Sequence, residues 1–388
     1  MSGSGQRFVA MDVHKHYVVV GAVDGEQAVV LRPRRVSIDE LDEWTAAHLQ
    51  PTDVVVLEAS TNVWPIHDLL EGLVAHVVVV HPNHVKVITA SSVKTDKRDT
   101  LALARLLAAN LLASIWIPPA HVRELRGLVS HRKHLVRQRV VAKTRLHGVL
   151  HTHNISAPDG DLFSDINRDW WEGLPLSSSV KLRVRHNLAL IDTLSPLIQE
   201  ADAELARLSV SDPWVEQVPF LIQLPGIGLI TAMTVLSAIG DATRFPTAKK
   251  LVGYSGLGSS VHASGQTHYT GRITKEGRRE LRTVMVEAAW TAVRHHPHWK
   301  AQFEALAVRT GKQKAIVAIA RKLLVVVWYV LTQQAADRHA RPDAVVRKFM
   351  TWGSRHRLAT SLGMSRQLFV QHHMRRAGFS QEVVQAYA

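Results

Sequence analysis

The chain has 388 residues and a formal net charge of +14, from 47 Lys and Arg against 33 Asp and Glu. With 46% hydrophobic residues it can bury a sizeable core, which excludes wholesale disorder; with no cysteine, it has no disulfide, thiolate nucleophile or Cys-ligated zinc. Met1–Arg7 lacks the apolar run of a signal peptide, and the apolar stretches Leu323–Leu331 and Leu106–Ile117 fall short of the ~18–20 residues that span a bilayer. The expectation is a soluble intracellular protein with an anionic polymer as partner and no membrane.

In chain order, residues 1–118 carry 10 basic and 13 acidic residues. Phe8–Val13, Tyr17–Val23, Val54–Leu57 and His76–Val80 are β-branched runs and predict strands. Three early strands joined by short turns, one at Asp24-Gly25, predict an antiparallel meander. Ser37–Leu49, Val63–Val74 and Asp99–Ala113 predict helices, so this segment is α/β.

Pro118-Pro119 ends it. His121–Leu150 predicts a long helix with eight basic residues and one acid, among them Arg132, Lys133, Arg137, Arg139, Lys143 and Arg145. A second helix, Val180–Leu208, spaces Val184, Leu188, Ile191, Leu194, Ile198, Ala201, Leu205 and Leu208 by threes and fours, a coiled-coil seam, with Pro196 predicting a break or kink near Leu194. Two readings stay open. The pair is an antiparallel hairpin that spaces two domains, or a basic arm that holds nucleic acid and dimerises along the seam.

Residues 221–388 carry 24 basic and 8 acidic residues; 216–331 predict a mostly helical unit and 332–388 a short basic tail with helical pieces. The expected domains are 1–118, 119–215, 216–331 and 332–388. Leu224–Ala232, with Pro225-Gly226-Ile227-Gly228, has the form of a helix-hairpin-helix turn, whose freed amides hold a phosphate without reading sequence. Arg272, Lys275, Arg278, Arg279 and Arg282 make a phosphate-contacting element by composition. Ser264 precedes Gly265 in an expected loop facing it, and taken alone a Ser-Gly is a turn. The histidines at 295, 296, 298, 372 and 373 lack the spacing of zinc ligands.

Four carboxylates have the placement of a metal site. Asp12 ends the first strand, Glu58 ends a later one, and Asp96 and Asp99 form an i, i+3 pair at a helix start. Gathered acids repel unless a hard cation, Mg²⁺ or Mn²⁺, neutralises them. Two such ions would clamp a phosphodiester displacement. Lys94, Lys97 and Arg98 stand beside the acids, His14 and His16 are expected as polar neighbours of the site, and Asp53 and Asp68 as surface residues. The order of these elements resembles the ribonuclease-H-like fold of RuvC-type nucleases.

Taken together, Met11–Lys15, Leu57–Ser60, Lys94–Asp99, Leu224–Ala232, Ser264-Gly265 and Gly271–Gly277 resemble the DEDD insertion-sequence transposases, the IS-one-ten family, relatives of the Piv-type DNA invertases. The resemblance covers residues 7 to about 331. It implies a RuvC-like domain joined through a coiled coil to a transposase domain, with Asp12, Glu58, Asp96 and Asp99 as the metal-binding quartet. It implies Ser264 as the nucleophile that forms a transient phosphoserine link, with Mg²⁺ held by a partner subunit's acids, preferred over the rival serines Ser255, Ser259 and Ser260. Its implied partners are target and donor double-stranded DNA, a structured guide RNA that bridges them, and further copies of the chain in a homodimer or homotetramer. Two other readings remain: a RuvC-type endonuclease that hydrolyses branched DNA, and a non-enzymatic nucleic-acid binder.

Overall fold

The computed structural model describes residues 5–83, 85, 95–264 and 267–387, with the side chains of 261–264, 267, 268 and 270 set aside. The chain divides into two compact units, Met1–Pro118 and Pro119–Ala388.

In the first unit, β1 (Phe8–Val13), β2 (Tyr17–Val23), β3 (Val29–Ser37), β4 (Val54–Glu58) and β5 (His76–Val80) form one mixed sheet in the order β3-β2-β1-β4-β5. The first three strands pair antiparallel, while β4 runs parallel to both β1 and β5. Side chains alternate between faces along each strand. Val9, Met11, Val55 and Leu57 pack with residues of α1 (Leu41–His48) and α2 (Val63–Leu70) on one face. Ala10, Val23, Val56 and Val80 pack with Leu103, Ala104 and Leu107 of α3 (Asp96–Ala108) on the other.

Helix α3 begins three residues before the expected Asp99. The Thr95 side chain accepts from the Arg98 amide and caps it. Asp53 is no surface residue: it is 0% exposed, and both its carboxylate oxygens bind Arg7, at 2.8 and 2.6 Å, so the first residues before β1 are fastened to the start of β4. Asp68 is half-exposed beside His67, at 3.1 Å.

The second unit opens with α4 (Ala120–Thr152), then α5 (Arg168–Gly173) and α6 (Ser178–Ser209). Here α4 and α6 form an antiparallel hairpin. Ala142, Leu146, Val149 and Leu150 pack on Val184, Leu188 and Ile191, and Leu135 packs on Leu194 and Ile198. The apolar seam of α6 from Val184 to Ile198 is thus covered by α4 of the same chain. Of the break or kink expected at Pro196, a break does not occur: α6 continues through it.

Next come α7 (Val218–Ile222), α8 (Leu229–Ile239) and α9 (Ala248–Ser255), the hairpin β6 (Ser259–Ser264) and β7 (Thr267–Ile273), and α10 (Arg279–His295), α11 (Pro297–Thr310) and α12 (Lys312–Gln333). Ser264 therefore ends a strand rather than sitting in a loop. Helix α12 is longer than the apolar run Leu323–Leu331 and is, by length and composition, apolar enough to cross a membrane; its Ala315, Ile316, Ile319, Leu323, Leu324 and Val327 are buried within the unit.

The helical pieces expected within 332–388 are present. They form α13 (Pro342–Ser354), α14 (Leu358–Ser361), α15 (Arg366–Arg376) and α16 (Gln381–Gln385), around Phe349, Trp352, Phe369 and Met374. Trp352 Nε1 donates to Ser209 Oγ at 2.9 Å, Lys348 Nζ donates to the Leu224 carbonyl at 2.5 Å, and Arg376 pairs with Glu216 at 2.6 Å. This helical cap braces the segment that leads into α8.

Candidate active site

The acids of the first unit sit where the parallel strands end. Ala10 and Val56 face α3, so by alternation Asp12 and Glu58, each two residues on, face the same side. Met11 pairs with Leu57, which puts Asp12 and Glu58 at neighbouring positions on the strand rim. Asp96 and Asp99 come to this face on the first turn of α3.

His14 Nε2 lies 3.2 Å from Asp12 Oδ2 and 3.6 Å from Asp96 Oδ2, and so bridges the two carboxylates. Its ring stacks on Tyr17 with centroids 4.5 Å apart, and the Tyr17 hydroxyl donates to Asp96 at 3.3 Å. Arg35 lies over the other component of this stack, 3.5 Å from the Tyr17 ring centre. Asn62 Nδ2 donates to the His14 carbonyl at 3.0 Å, which ties the loop after Glu58 to the β1–β2 turn. Burial pushes the Asp12 carboxyl above its ordinary range; His14 opposes this, and the negative charges of Asp96 and Asp99 add to it.

Ligand atoms of Asp12, His14 and Asp96 all lie within 4.8 Å of one another. Among the described residues Glu58 and Asp99 stand outside that group. Glu58 is half-buried at the rim, and Asp99 is exposed one turn along α3. Hard oxygens with one imidazole fit Mg²⁺ or Mn²⁺, and a cation would offset the negative charges of Asp96 and Asp99 that add to the effect of burial on Asp12. His14, expected only as a polar neighbour, supplies one of the three converging atoms, while His16 is exposed. A second group, His67, Asp68 and Glu71, lies along α2 and just past its end.

The expected nucleic-acid contacts are spread over several elements. Lys94 lies outside the described residues. Lys97 and Arg98 are exposed on α3, and Arg137 and Arg145 are exposed on α4. Others on α4 are engaged within the unit. Arg132 is paired with Asp202, Lys133 lies 3.6 Å from Glu280, Arg139 is 3.5 Å from Ser195 Oγ, and Lys143 stands over the Phe163 ring at 4.5 Å.

Between α7 and α8, Gly226 has φ +78°, and a Cβ there would lie 2.1 Å from the Ala288 carbonyl oxygen, so only glycine lets this turn press on α10. Gly228 caps α8. At the root of the β6–β7 hairpin, Cβ atoms at Gly256 and Gly277 would each meet a backbone oxygen at 2.1 Å, of Glu276 and Tyr254 respectively. Arg272, Lys275 and Arg279 are exposed; Arg278 reaches Tyr254 and Arg282 donates to the Ser255 carbonyl at 3.0 Å. Ser255 is buried, its hydroxyl held on the Val252 carbonyl at 2.7 Å, which removes it as a rival nucleophile; Ser259 is exposed.

A cluster of acids at parallel strand ends, joined in one chain to a second unit rich in exposed cations, defines a metal-using protein that acts on nucleic acid. The comparisons give the family. Residues 9–155 match the DEDD transposases of IS110 type, and residues 218–304 match the family described as Transposase IS116/IS110/IS902 family. The chain is 25% identical over 350 residues to the transposase for insertion sequence element IS1111A of Coxiella burnetii, covering 86% of this chain and 91% of the relative. It is 27% identical over 308 residues to the pilin gene-inverting protein of Moraxella bovis, covering 76% of this chain and 85% of that protein.

The chain belongs to the IS110 family of DEDD transposases. Membership implies a DNA substrate, a divalent cation and an RNase H-like fold, with which the mixed sheet of the first unit is consistent.

Proposed function

We propose that this chain is the site-specific recombinase of an insertion sequence, cutting and rejoining DNA through a phosphoserine link at Ser264. Asp12, Glu58, Asp96 and Asp99 of its RuvC-like unit hold a divalent cation, and His14 stands among them. The observation that carries this reading is the meeting of Asp12, His14 and Asp96 at the rim of β1 in a DEDD transposase. Likeness to a pilin gene-inverting protein favours strand exchange over hydrolysis.

When bound, Mg²⁺ or Mn²⁺ supplies stabilisation of the charge that develops on phosphodiester oxygens. Asp12 and Asp96 provide the negative charge that retains it, and His14 orients both carboxylates. Ser264 Oγ gives up its proton and bonds to phosphorus as one strand's P–O bond breaks, and the freed strand end leaves as a hydroxyl. Attack by the hydroxyl of a second strand reverses the step and rejoins DNA without net hydrolysis.

The turn at Gly226 and Gly228 acts as a helix-hairpin-helix phosphate contact. The exposed Lys97, Arg98, Arg137, Arg145, Arg272, Lys275 and Arg279 hold backbone phosphates, and the α4–α6 arm is the site for a bridging guide RNA. The active assembly contains at least two copies of the chain and works in the cytoplasm, where the DNA is.

Two measurements test this reading. Asp12→Ala should abolish strand cutting on a DNA carrying the element's ends; undiminished cutting would contradict a metal-assisted reaction. Purification at low salt should bring down one discrete RNA matching the element's flank; heterogeneous RNA, or none, would contradict guidance.

A further inference from the structure

A second cluster of titratable side chains lies in the second unit, around the phenol of Tyr254 on α9. Arg278, the residue capping α10, donates from Nε to the Tyr254 hydroxyl at 3.2 Å. The Arg244 guanidinium lies 4.5 Å from the centre of the Tyr254 ring and 4.0 Å from that of Phe245. Arg126, from α4, reaches the same place, with Nε on the Ser237 carbonyl at 2.7 Å and Nη2 on the Ala238 carbonyl at 3.1 Å. The Tyr254 hydroxyl also lies 3.2 Å from that Ala238 carbonyl, and Arg244 Nε donates to the Ile239 carbonyl at 2.9 Å.

Three guanidiniums from three separate parts of the chain thus surround one phenol at the carbonyl end of α8. Those carbonyls carry only partial negative charge. Burial lowers Arg126 to about 10, with Arg278 and Arg244 adding to the fall; burial also lowers Arg244, again with Arg278 adding. For Tyr254, burial alone would raise the phenol, but Arg278, Arg244 and Arg126 together bring it below its ordinary value. Such a gathering of like charge is held against its own repulsion. All four residues are half-buried, so each keeps part of its surface open to solvent, while Arg244 Nη2 is buried. It also lies at the root of the β6–β7 hairpin, since the Tyr254 carbonyl accepts the Arg278 amide at 3.1 Å.

We propose that Arg126, Arg244, Arg278 and Tyr254 form a seat for one backbone phosphate of the DNA strand on which Ser264 acts. The choice of DNA rests on the function proposed above. Strand β6, from Ser259 to Ser264, spans at most ~17 Å at ~3.3 Å per residue, so the seated phosphate is distinct from the attacked one. Guanidiniums match phosphate oxygens bidentately, and the Tyr254 hydroxyl, which donates to the Ala238 carbonyl and accepts from Arg278, holds that arginine in place.

The test is equilibrium binding of the full chain to a labelled random-sequence DNA duplex across a salt series. Arg244→Gln should weaken binding about tenfold and reduce the slope of log K against log salt by about one. Arg244→Lys should keep the slope. Unchanged affinity and slope in both Arg244→Gln and Arg278→Gln would overturn the proposal and leave the arginines as caps of α8. Because a variant can fail to fold, the wild-type chain is also treated with an arginine-specific dicarbonyl and digested for mass spectrometry. The duplex should protect Arg126, Arg244 and Arg278; no protection, or protection by a single-stranded RNA alone, would overturn it. These readouts involve no chemistry at Ser264, so they stand or fall separately from the phosphoserine link.

Discussion

At the scale of single residues, the site is a small electrostatic balance. Asp12 is partly buried, faces two other acids and is held by one imidazole. Asp12→Asn removes a repelling charge at nearly constant shape. It should therefore leave the unfolding temperature of the metal-free protein unchanged or raised, while lowering strand cutting by ~10³-fold or more. Thermal unfolding in chelator and a cutting assay check the two halves; a large loss of stability would place Asp12 in a structural role. His14→Ala should weaken Mn²⁺ binding by about 10–100-fold in calorimetric titration, as loss of an orienting group does.

The placement of Asp12 and Glu58 near strand ends was legible because each follows a short apolar run, a purely local pattern. His14 was not legible as a site member, since its approach to Asp96 depends on the Tyr17 stack and on a helix some eighty residues away. Asp53 misled for the same reason: its partner Arg7 is 46 residues distant, and burial of an ion pair leaves no local trace.

At the scale of elements, capping and glycine chemistry decide boundaries that hydrophobic spacing does not. The start of α3 lies in a polar stretch without periodicity, and the Thr95 cap alone moves it three residues from the predicted point. The seam of α6 was legible as spacing, but spacing cannot say which helix covers it. Packing against α4 supplies that answer, together with the Arg132–Asp202 pair. The β6–β7 hairpin was read as a loop because its strand residues, from Ser259 to Ile273, are polar and glycine-containing.

The turn before α8 gives a sharp prediction at this scale. Gly226→Ala combines a positive φ with a Cβ 2.1 Å from the Ala288 carbonyl oxygen. It should destabilise the second unit by ~2 kcal/mol or more. Gly228→Ala, where a Cβ would meet nothing within 4 Å, should cost far less. Urea unfolding of the two variants makes the comparison; equal costs would contradict the close approach of this turn to α10.

At the scale of the whole molecule, the net charge of +14 is unevenly placed. The unit with the acid cluster is slightly acidic, and the cations lie along the arm and the second unit. The cap formed by residues 332–388 adds buried basic groups to that unit. Burial holds Lys348 down at about 7 and His373 at about 3; neither ring nitrogen of His373 has a hydrogen-bond partner among the described residues.

Both shifts are downward in bases, so in each case the unfolded chain binds its proton first as pH falls. The Lys348 penalty grows as pH drops from its unfolded value of 10.5 to about 7, and the His373 penalty grows from 6.5 to about 3. Each contributes a slope of up to ~1.4 kcal/mol per pH unit in its window. The contribution of these two groups to stability should thus fall from alkaline to acid pH. Lys348→Met should flatten the alkaline part and His373→Leu the acid part, as read by denaturant unfolding at a series of pH values; unchanged slopes would contradict the burial of these groups.

The central claim is that Ser264 carries the DNA during exchange, and a trapped covalent complex tests it most directly. A suicide substrate, nicked so that the cut strand is lost, should leave the wild-type chain joined to DNA through the peptide that contains Ser264. Ser264→Ala should form no such adduct and cut no strand. Strand cutting at full rate by Ser264→Ala, with no adduct in the wild type, would contradict the account and point to hydrolysis by water at the acid cluster.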